Sequence, residues 1–147
     1  MPIIHVTVPA GVLDAEAQAA VAAQLTDILM EIEGTKGNPT FAAGTWLQLT
    51  EAQPNTTAVG GKFASGRYHM VIDTPSGALN MEQKETLILR TTDALLRIEG
   101  TEPDPTQRAR VYCLINEIPD GGWGFAGQAV TRAKIEQYRK SLAQSHA

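Results

Sequence analysis

Apolar positions along this chain follow a period of two, then a period near 3.6, then two again, and the whole cycle occurs twice. Ile3–Val8 alternates, with Ile3, His5 and Thr7 on one face and Ile4, Val6 and Val8 on the other, which predicts a short strand. From about Asp14 to Glu33, Val21, Leu25, Ile28, Leu29 and Ile32 recur at the spacing of one buried helical face. A second strand is predicted over about Gly44–Thr50, entered through a loop at Pro39. The second cycle has a strand at Tyr68–Asp73, a helix over about Met81–Glu99 and a strand over about Arg110–Glu117, entered through a loop at Pro105. Asn80 followed by Gln83 three residues on reads as a capping box, and Gly34 and Gly100 as helix stops. A last, charged helix over about Thr131–Gln144 has only Ile135, Tyr138 and Leu142 as apolar contacts.

The two cycles are copies. Shifted by 66 residues, Thr26-Asp27 falls on Thr92-Asp93, Ile32-Glu33-Gly34-Thr35 on Ile98-Glu99-Gly100-Thr101, Pro9 on Pro75, Gly11 on Gly77 and Glu51 on Glu117, without a gap. One register held this long marks a tandem duplication. A strand joined through a helix to another strand favours parallel pairing with a right-handed crossover. The expected fold is therefore α+β: tandem β-α-β units forming one four-stranded mixed sheet, two helices on one face, and a C-terminal helix. The whole chain, 1–147, forms a single domain, with pseudo-repeats 2–66 and 67–130 and the last helix over 131–144. In the final strand Val111, Cys113 and Ile115 are expected to meet the helices, leaving Arg110, Tyr112, Leu114 and Asn116 on the other face. That face and the one carrying Trp46 are too apolar to stay in water, so a closed oligomer is expected.

Composition narrows the function classes. At 147 residues the chain is long enough for a core of its own, and 43% apolar with 19% charged residues is ordinary for a globular protein. A net charge of −4 argues against a nucleic-acid partner, because the phosphate backbone rewards dense Lys and Arg. Cys113 is the single cysteine and sits in an apolar run, so a packed thiol is expected. The start of the chain has no basic segment leading into an apolar one, and no stretch is long enough to span a bilayer, so a cytoplasmic protein without a membrane partner is expected. His5, His69 and His146 lack metal-ligand spacing. Gly122-Trp123-Gly124-Phe125-Ala126-Gly127 matches a dinucleotide fingerprint in letters, but the chain ends before the βαβ unit that motif needs, so a hairpin is expected there.

The most distinctive chemistry lies at position 2. Once the initiator methionine is removed, Pro2 is a secondary amine, and burial lowers the pKa of an amine by disfavouring the cation. Such a nitrogen serves as a base or nucleophile near neutral pH without a metal. The second copy has Tyr68 at the matching place, so one site per chain follows.

With Pro2, the duplicated β-α-β units, the helix segment Glu82-Gln83-Lys84-Glu85-Thr86-Leu87-Ile88, and Ile115-Asn116-Glu117-Ile118-Pro119 followed by Trp123-Gly124-Phe125-Ala126-Gly127, the chain resembles the tautomerase superfamily over roughly residues 2–130. That group includes 4-oxalocrotonate tautomerase, malonate semialdehyde decarboxylase, cis-3-chloroacrylic acid dehalogenase and macrophage migration inhibitory factor. The resemblance implies a homotrimer, no cofactor and a site around the N-terminal proline acting on a small carbonyl or unsaturated acid. It implies keto–enol proton transfer with Pro2 as general base, or alternatively hydration, dehalogenation or decarboxylation, or a non-catalytic trimeric binding protein. Carboxylate-handling members have arginines just after the strand equivalent to Tyr68–Asp73, where this chain reads Asp73-Thr74-Pro75-Ser76-Gly77. The family's arginine on the second strand falls on Tyr112, or on Trp46 in the first copy; Arg110, two residues before Tyr112, is the expected substitute, with Arg108 and Arg67 as further candidates. Trp123 and Tyr112 are expected to line the pocket, Asp73 to act as an acid, and Thr74 and Ser76 to donate hydrogen bonds to a substrate oxygen.

Overall fold

The computed structural model describes residues 2–145; His146 lies outside them. The first unit comprises β1 (Ile3–Pro9), α1 (Ala15–Glu33), α2 (Pro39–Gly44), β2 (Trp46–Ala52), β3 (Ala58–Val59) and β4 (Lys62–Phe63). The second comprises β5 (Tyr68–Pro75), α3 (Met81–Glu99), α4 (Pro105–Arg108), β6 (Val111–Ile118), β7 (Gly124–Phe125) and β8 (Gln128–Ala129), and α5 (Arg132–Ser145) follows. The main sheet has the order β2-β1-β5-β6. Each unit contributes a parallel pair, β1 with β2 and β5 with β6, and the units meet through antiparallel β1 and β5.

The 66-residue offset holds down to single hydrogen bonds. The side chains of Asp14 and Asn80 cap α1 and α3, and Gly34 and Gly100 close them in the left-handed conformation. Ala10 N–H donates to Ala52 and, one unit later, Ser76 N–H donates to Ile118; Ala64 donates to Thr57 as Val130 does to Trp123. Each N-cap is worth about 1 kcal/mol, so both helices are delimited by local chemistry before they pack. Their apolar stripes then cover one face of the sheet, with Val21, Leu25 and Leu29 of α1 and Leu87 and Leu95 of α3 buried against Ile4, Val6, Met70 and Ile72.

Several boundaries differ from those read in the sequence. The segments after Pro39 and Pro105 are short helices capped by Asn38 and Asp104, with proline in the first turn where its missing N–H costs nothing. The second strands therefore begin later, at Trp46 and Val111. The β3–β4 hairpin, which carries little apolar periodicity, is the counterpart of β7–β8, the hairpin expected from the glycine-rich segment. Val111, Cys113 and Ile115 do pack against the core, and burial pushes the Cys113 thiol above its ordinary pKa. Arg110 does not share the Tyr112 face: it precedes β6 and turns towards the end of α3, where Glu99 holds it.

Both hairpins turn through two residues of positive φ, Gly60-Gly61 and Ala126-Gly127. This is the geometry that suits the twist of adjacent strands and favours residues without a Cβ. Ala126, at φ 52°, is the one alanine forced into it. Ala126→Gly is expected to stabilise the protein by about 0.5 kcal/mol, the left-handed penalty of roughly 1 kcal/mol less the entropy a glycine adds to the unfolded chain. Thermal unfolding checks this; a lower midpoint in the variant contradicts it.

Candidate active site at the amino-terminal end of the sheet

Pro2 is buried immediately before β1, and its carbonyl accepts the Trp46 N–H at 3.2 Å. Ile3 pairs with Asp73 across the β1–β5 ladder. Continuing that register by one residue sets Pro2 opposite Thr74, so the end of β5 stands beside Pro2 as expected. On the open face, Asp73 is held from two sides. His5 Nε2 lies 2.9 Å from one carboxylate oxygen, and Asn116 Nδ2 donates to the other at 2.9 Å. Ile3, Asp73, Ile118 and Trp123 line a cavity of about 240 Å³ there. Trp123 is buried, placed by the β7–β8 hairpin whose closing bond its own carbonyl accepts. His5 reads in the sequence as an ordinary strand histidine; only the antiparallel register brings it to Asp73.

The helix-covered side is different in kind. Thr74 is fully buried, and its Oγ1 has no hydrogen-bond partner among the described residues. Leaving such a group unpaired costs about 1–3 kcal/mol, which a ligand oxygen or amine at this end of the sheet would recover. Beyond it, the turn Pro75–Ala78 and α5 enclose a cavity of about 140 Å³ that Arg132, Arg139 and Glu136 also line. The Arg132 guanidinium lies so close over Gly77 that a Cβ there would meet it at 2.9 Å. No ion pair is formed by Arg132 or Arg139 among the described residues. Arg139 donates to the Glu33 carbonyl at 3.4 Å and lies 5.7 Å from the centroid of the Phe41 ring, while Tyr138 stacks on the same ring at 5.4 Å. These contacts seat α5 against the ends of α1 and α2.

The repeat identifies one more group. Pro2 occupies the place of Tyr68, and Glu33 that of Glu99. In the second unit the Tyr68 hydroxyl donates to Glu99 at 3.0 Å, and Arg110 forms a bidentate pair with the same carboxylate at 2.6 and 3.0 Å. In the first unit the tyrosine is replaced by Pro2 and the arginine by Gly44, so the Glu33 carboxyl has neither partner. Burial pushes it above the ordinary carboxylate pKa, with the Arg139 cation pulling the other way. The 66-residue register, applied to Glu99, would have found Glu33 in the sequence. Nothing in the sequence points to Arg132 or Arg139, which lie beyond the repeat.

The remaining expected residues divide. Thr74 stands opposite Pro2 in the extended register, Asp73 and Trp123 share a cavity with Ile3, and Ser76 lines the cavity under α5. Arg110 joins none of these: it sits at the opposite end of β5 and β6, and Glu99, the Gly66 carbonyl and Gln107 take up its donors. Tyr112 pairs with His69 in the sheet, four residues along β5 from Asp73, and lies exposed on the open face.

Two parallel β-α-β units joined antiparallel, with a buried proline at the end of the first strand, define the tautomerase fold. Residues 70–133 match the family model of the tautomerase enzymes. Among solved structures, a wild-type symmetric trimer of a fused 4-OT is 20% identical with a TM-score of 0.74, covering 90% of this chain and 98% of that one. N1, a member of the cis-3-chloroacrylic acid dehalogenase family, is 24% identical with a TM-score of 0.74, covering 97% and 94%. A macrophage migration inhibitory factor-like protein from Entamoeba histolytica is 21% identical with a TM-score of 0.66, covering 88% and 98%. A sequence search of curated proteins finds no match. The family match covers most of the second unit, and the whole chain shares the fold of these structures, two fused β-α-β units.

Proposed function

We propose that the protein is a cofactor-independent tautomerase-like enzyme in which Pro2, freed by removal of Met1, is the general base. The observation that carries this reading is the position of Pro2: buried immediately before β1, next to Ile3, which lines the Asp73–Trp123 cavity, and opposite Thr74, whose Oγ1 has no partner among the described residues. In this setting the secondary amine stays neutral near physiological pH, since burial disfavours its cation. It takes a proton from the carbon α to a carbonyl and returns it at another atom of the same small acid. Thr74 and Ser76 donate to the substrate oxygen, and Trp123 forms the apolar wall. Asp73, oriented by His5 and Asn116, is the acid that stands beside this transfer. Arg132 and Arg139 hold the substrate anion in place of Arg110.

Hydration, dehalogenation or decarboxylation would use the same amine, and the likeness to a dehalogenase-family structure favours keeping these within reach. The test is exchange of the α-protons of small aliphatic and aromatic 2-keto acids in D2O, followed by NMR. Catalysed exchange with one panel member supports the reading. No exchange across the panel contradicts it and favours a non-catalytic binding protein.

We also assign the open sheet face to the contact between three copies. Trp46 (53% exposed), Tyr112 (73%) and Leu114 (49%) form an apolar surface on it. Solved structures that share the fold are described as trimers. In such a trimer Tyr112 is available to the site of a neighbouring copy. Leu114→Glu is expected to give a monomer-sized particle by light scattering, because an unpaired carboxylate cannot be buried there without a cost of several kcal/mol. A trimer of unchanged mass overturns the assignment.

A further inference from the structure

A cavity of about 460 Å³, larger than either cavity at the Pro2 end, lies at the opposite end of the sheet. The repeat explains its position. Pro9, Ala10 and Val12 in its wall are the counterparts of Pro75, Ser76 and Ala78, which line the cavity under α5. Ala52 and Thr57 are the counterparts of Ile118 and Trp123, which line the cavity beside Asp73. Even the turn between them is kept, with Asn55 at φ 59° matching Gly121 at φ 84°. This cavity is therefore the proposed active-site region as the second unit's start would form it.

Three differences set its chemistry. No amine can exist there, because Tyr68 takes the place of Pro2 within a continuous chain and its hydroxyl is bonded to Glu99. The residue just before Tyr68 is Arg67, a cation that lines the cavity; it donates to the Ser65 carbonyl at 3.3 Å and joins no ion pair among the described residues. No helix covers this end: nothing approaches a Cβ built on Gly11 within 4 Å, whereas Arg132 lies over Gly77. The two cavities merge here into one open basin. Phe63, 66% exposed, supplies an aromatic wall, and none of the lining residues is acidic in a chain with 16 acidic residues.

We infer that this basin is a second, non-catalytic binding site for a small aromatic or branched monocarboxylate, with Arg67 holding the carboxylate and Phe63 the apolar body. A guanidinium presents a planar fork matched to a carboxylate, and an acid-free wall removes competition for it. The ligand class follows from the function proposed above, so the site would sense the substrate or product of the Pro2 site without converting it.

The test is calorimetric titration of the full-length protein with phenylacetate, which has no keto group to enolise. The expected result is two phenylacetates per chain, one of them lost in Arg67→Glu and weakened at least tenfold in Phe63→Ala, with the thermal midpoints of both variants close to the parent. Loss of one site in Arg67→Glu supports the inference even where no keto acid exchanges its protons, so the two proposals fail separately. One phenylacetate per chain, bound equally by parent and Arg67→Glu, overturns it; a neighbouring copy filling the basin would give that result.

Discussion

Pro2→Ala is expected to lower kcat for α-proton exchange by about a hundredfold or more while leaving the assembly and its thermal midpoint unchanged. General acid–base catalysis by a positioned group contributes about 10²–10⁴-fold, and its efficiency depends on lone-pair direction as well as on pKa. The pyrrolidine ring fixes the nitrogen relative to the chain, and the strand that follows fixes the chain, with Ile3 paired to both Trp46 and Asp73. Alanine leaves an amine free to rotate about its Cα, so base and α-proton lose their alignment. Structure is spared because position 2 lies outside β1 and its backbone bond from Trp46 uses a carbonyl that alanine also has. Steady-state rates beside a light-scattering mass separate the two effects. Unchanged turnover would remove Pro2 from the mechanism.

Arg110→Ala is expected to do the reverse: a loss of stability of about 3 kcal/mol with little change in the α-exchange reaction. The Arg110–Glu99 pair is largely shielded, with side chains 19% and 13% exposed, and the carboxylate also accepts from Tyr68 and Thr101. Removing one partner of a buried pair leaves an uncompensated charge, which costs about 3–5 kcal/mol; the lower end applies here because Tyr68 and Thr101 remain. In a domain this size the thermal midpoint should fall by roughly 6–12 °C. The pair also sets a pH dependence. Hydrogen bonding from Arg110 is the main cause that holds the Glu99 carboxyl at about 2, below its ordinary 4.5. A depressed carboxylate stabilises the fold fully above its unfolded pKa, and that contribution is lost as pH falls from about 4.5 towards 2. The parent should therefore lose more stability than Arg110→Ala across that window. Equal slopes in urea titrations, or a variant that keeps its midpoint and loses substrate affinity, would return Arg110 to a binding role.

Local chemistry explains why the scaffold was legible from residues alone. Asp14, Asn80, Gly34 and Gly100 bound their helices through contacts within a few positions, and the 66-residue repeat ties each element of one unit to its twin. The same locality limits what can be read of the site. Asp73 and Thr74 can be placed beside Pro2 in advance because one strand register brings the end of β5 there. His5 pairs with Asp73 through contacts 68 positions apart, which no local pattern encodes. Arg110 was misplaced because strand alternation assumes the strand begins there, while the chain is still leaving α4, and a carboxylate at the end of α3 turns the side chain over. Arg132 and Arg139 reach the Pro75–Ala78 turn only because α5 folds back across the ends of α1 and α2, guided by Phe41 and Tyr138.

Everything proposed for the amino-terminal end of the sheet depends on one covalent fact. While Met1 is attached, the nitrogen of Pro2 is a tertiary amide with no lone pair to accept a proton. The intact mass of the natively expressed protein tests this most directly. The account predicts a mass one methionine short of the 147-residue sequence. A mass that retains Met1 in every molecule would contradict it.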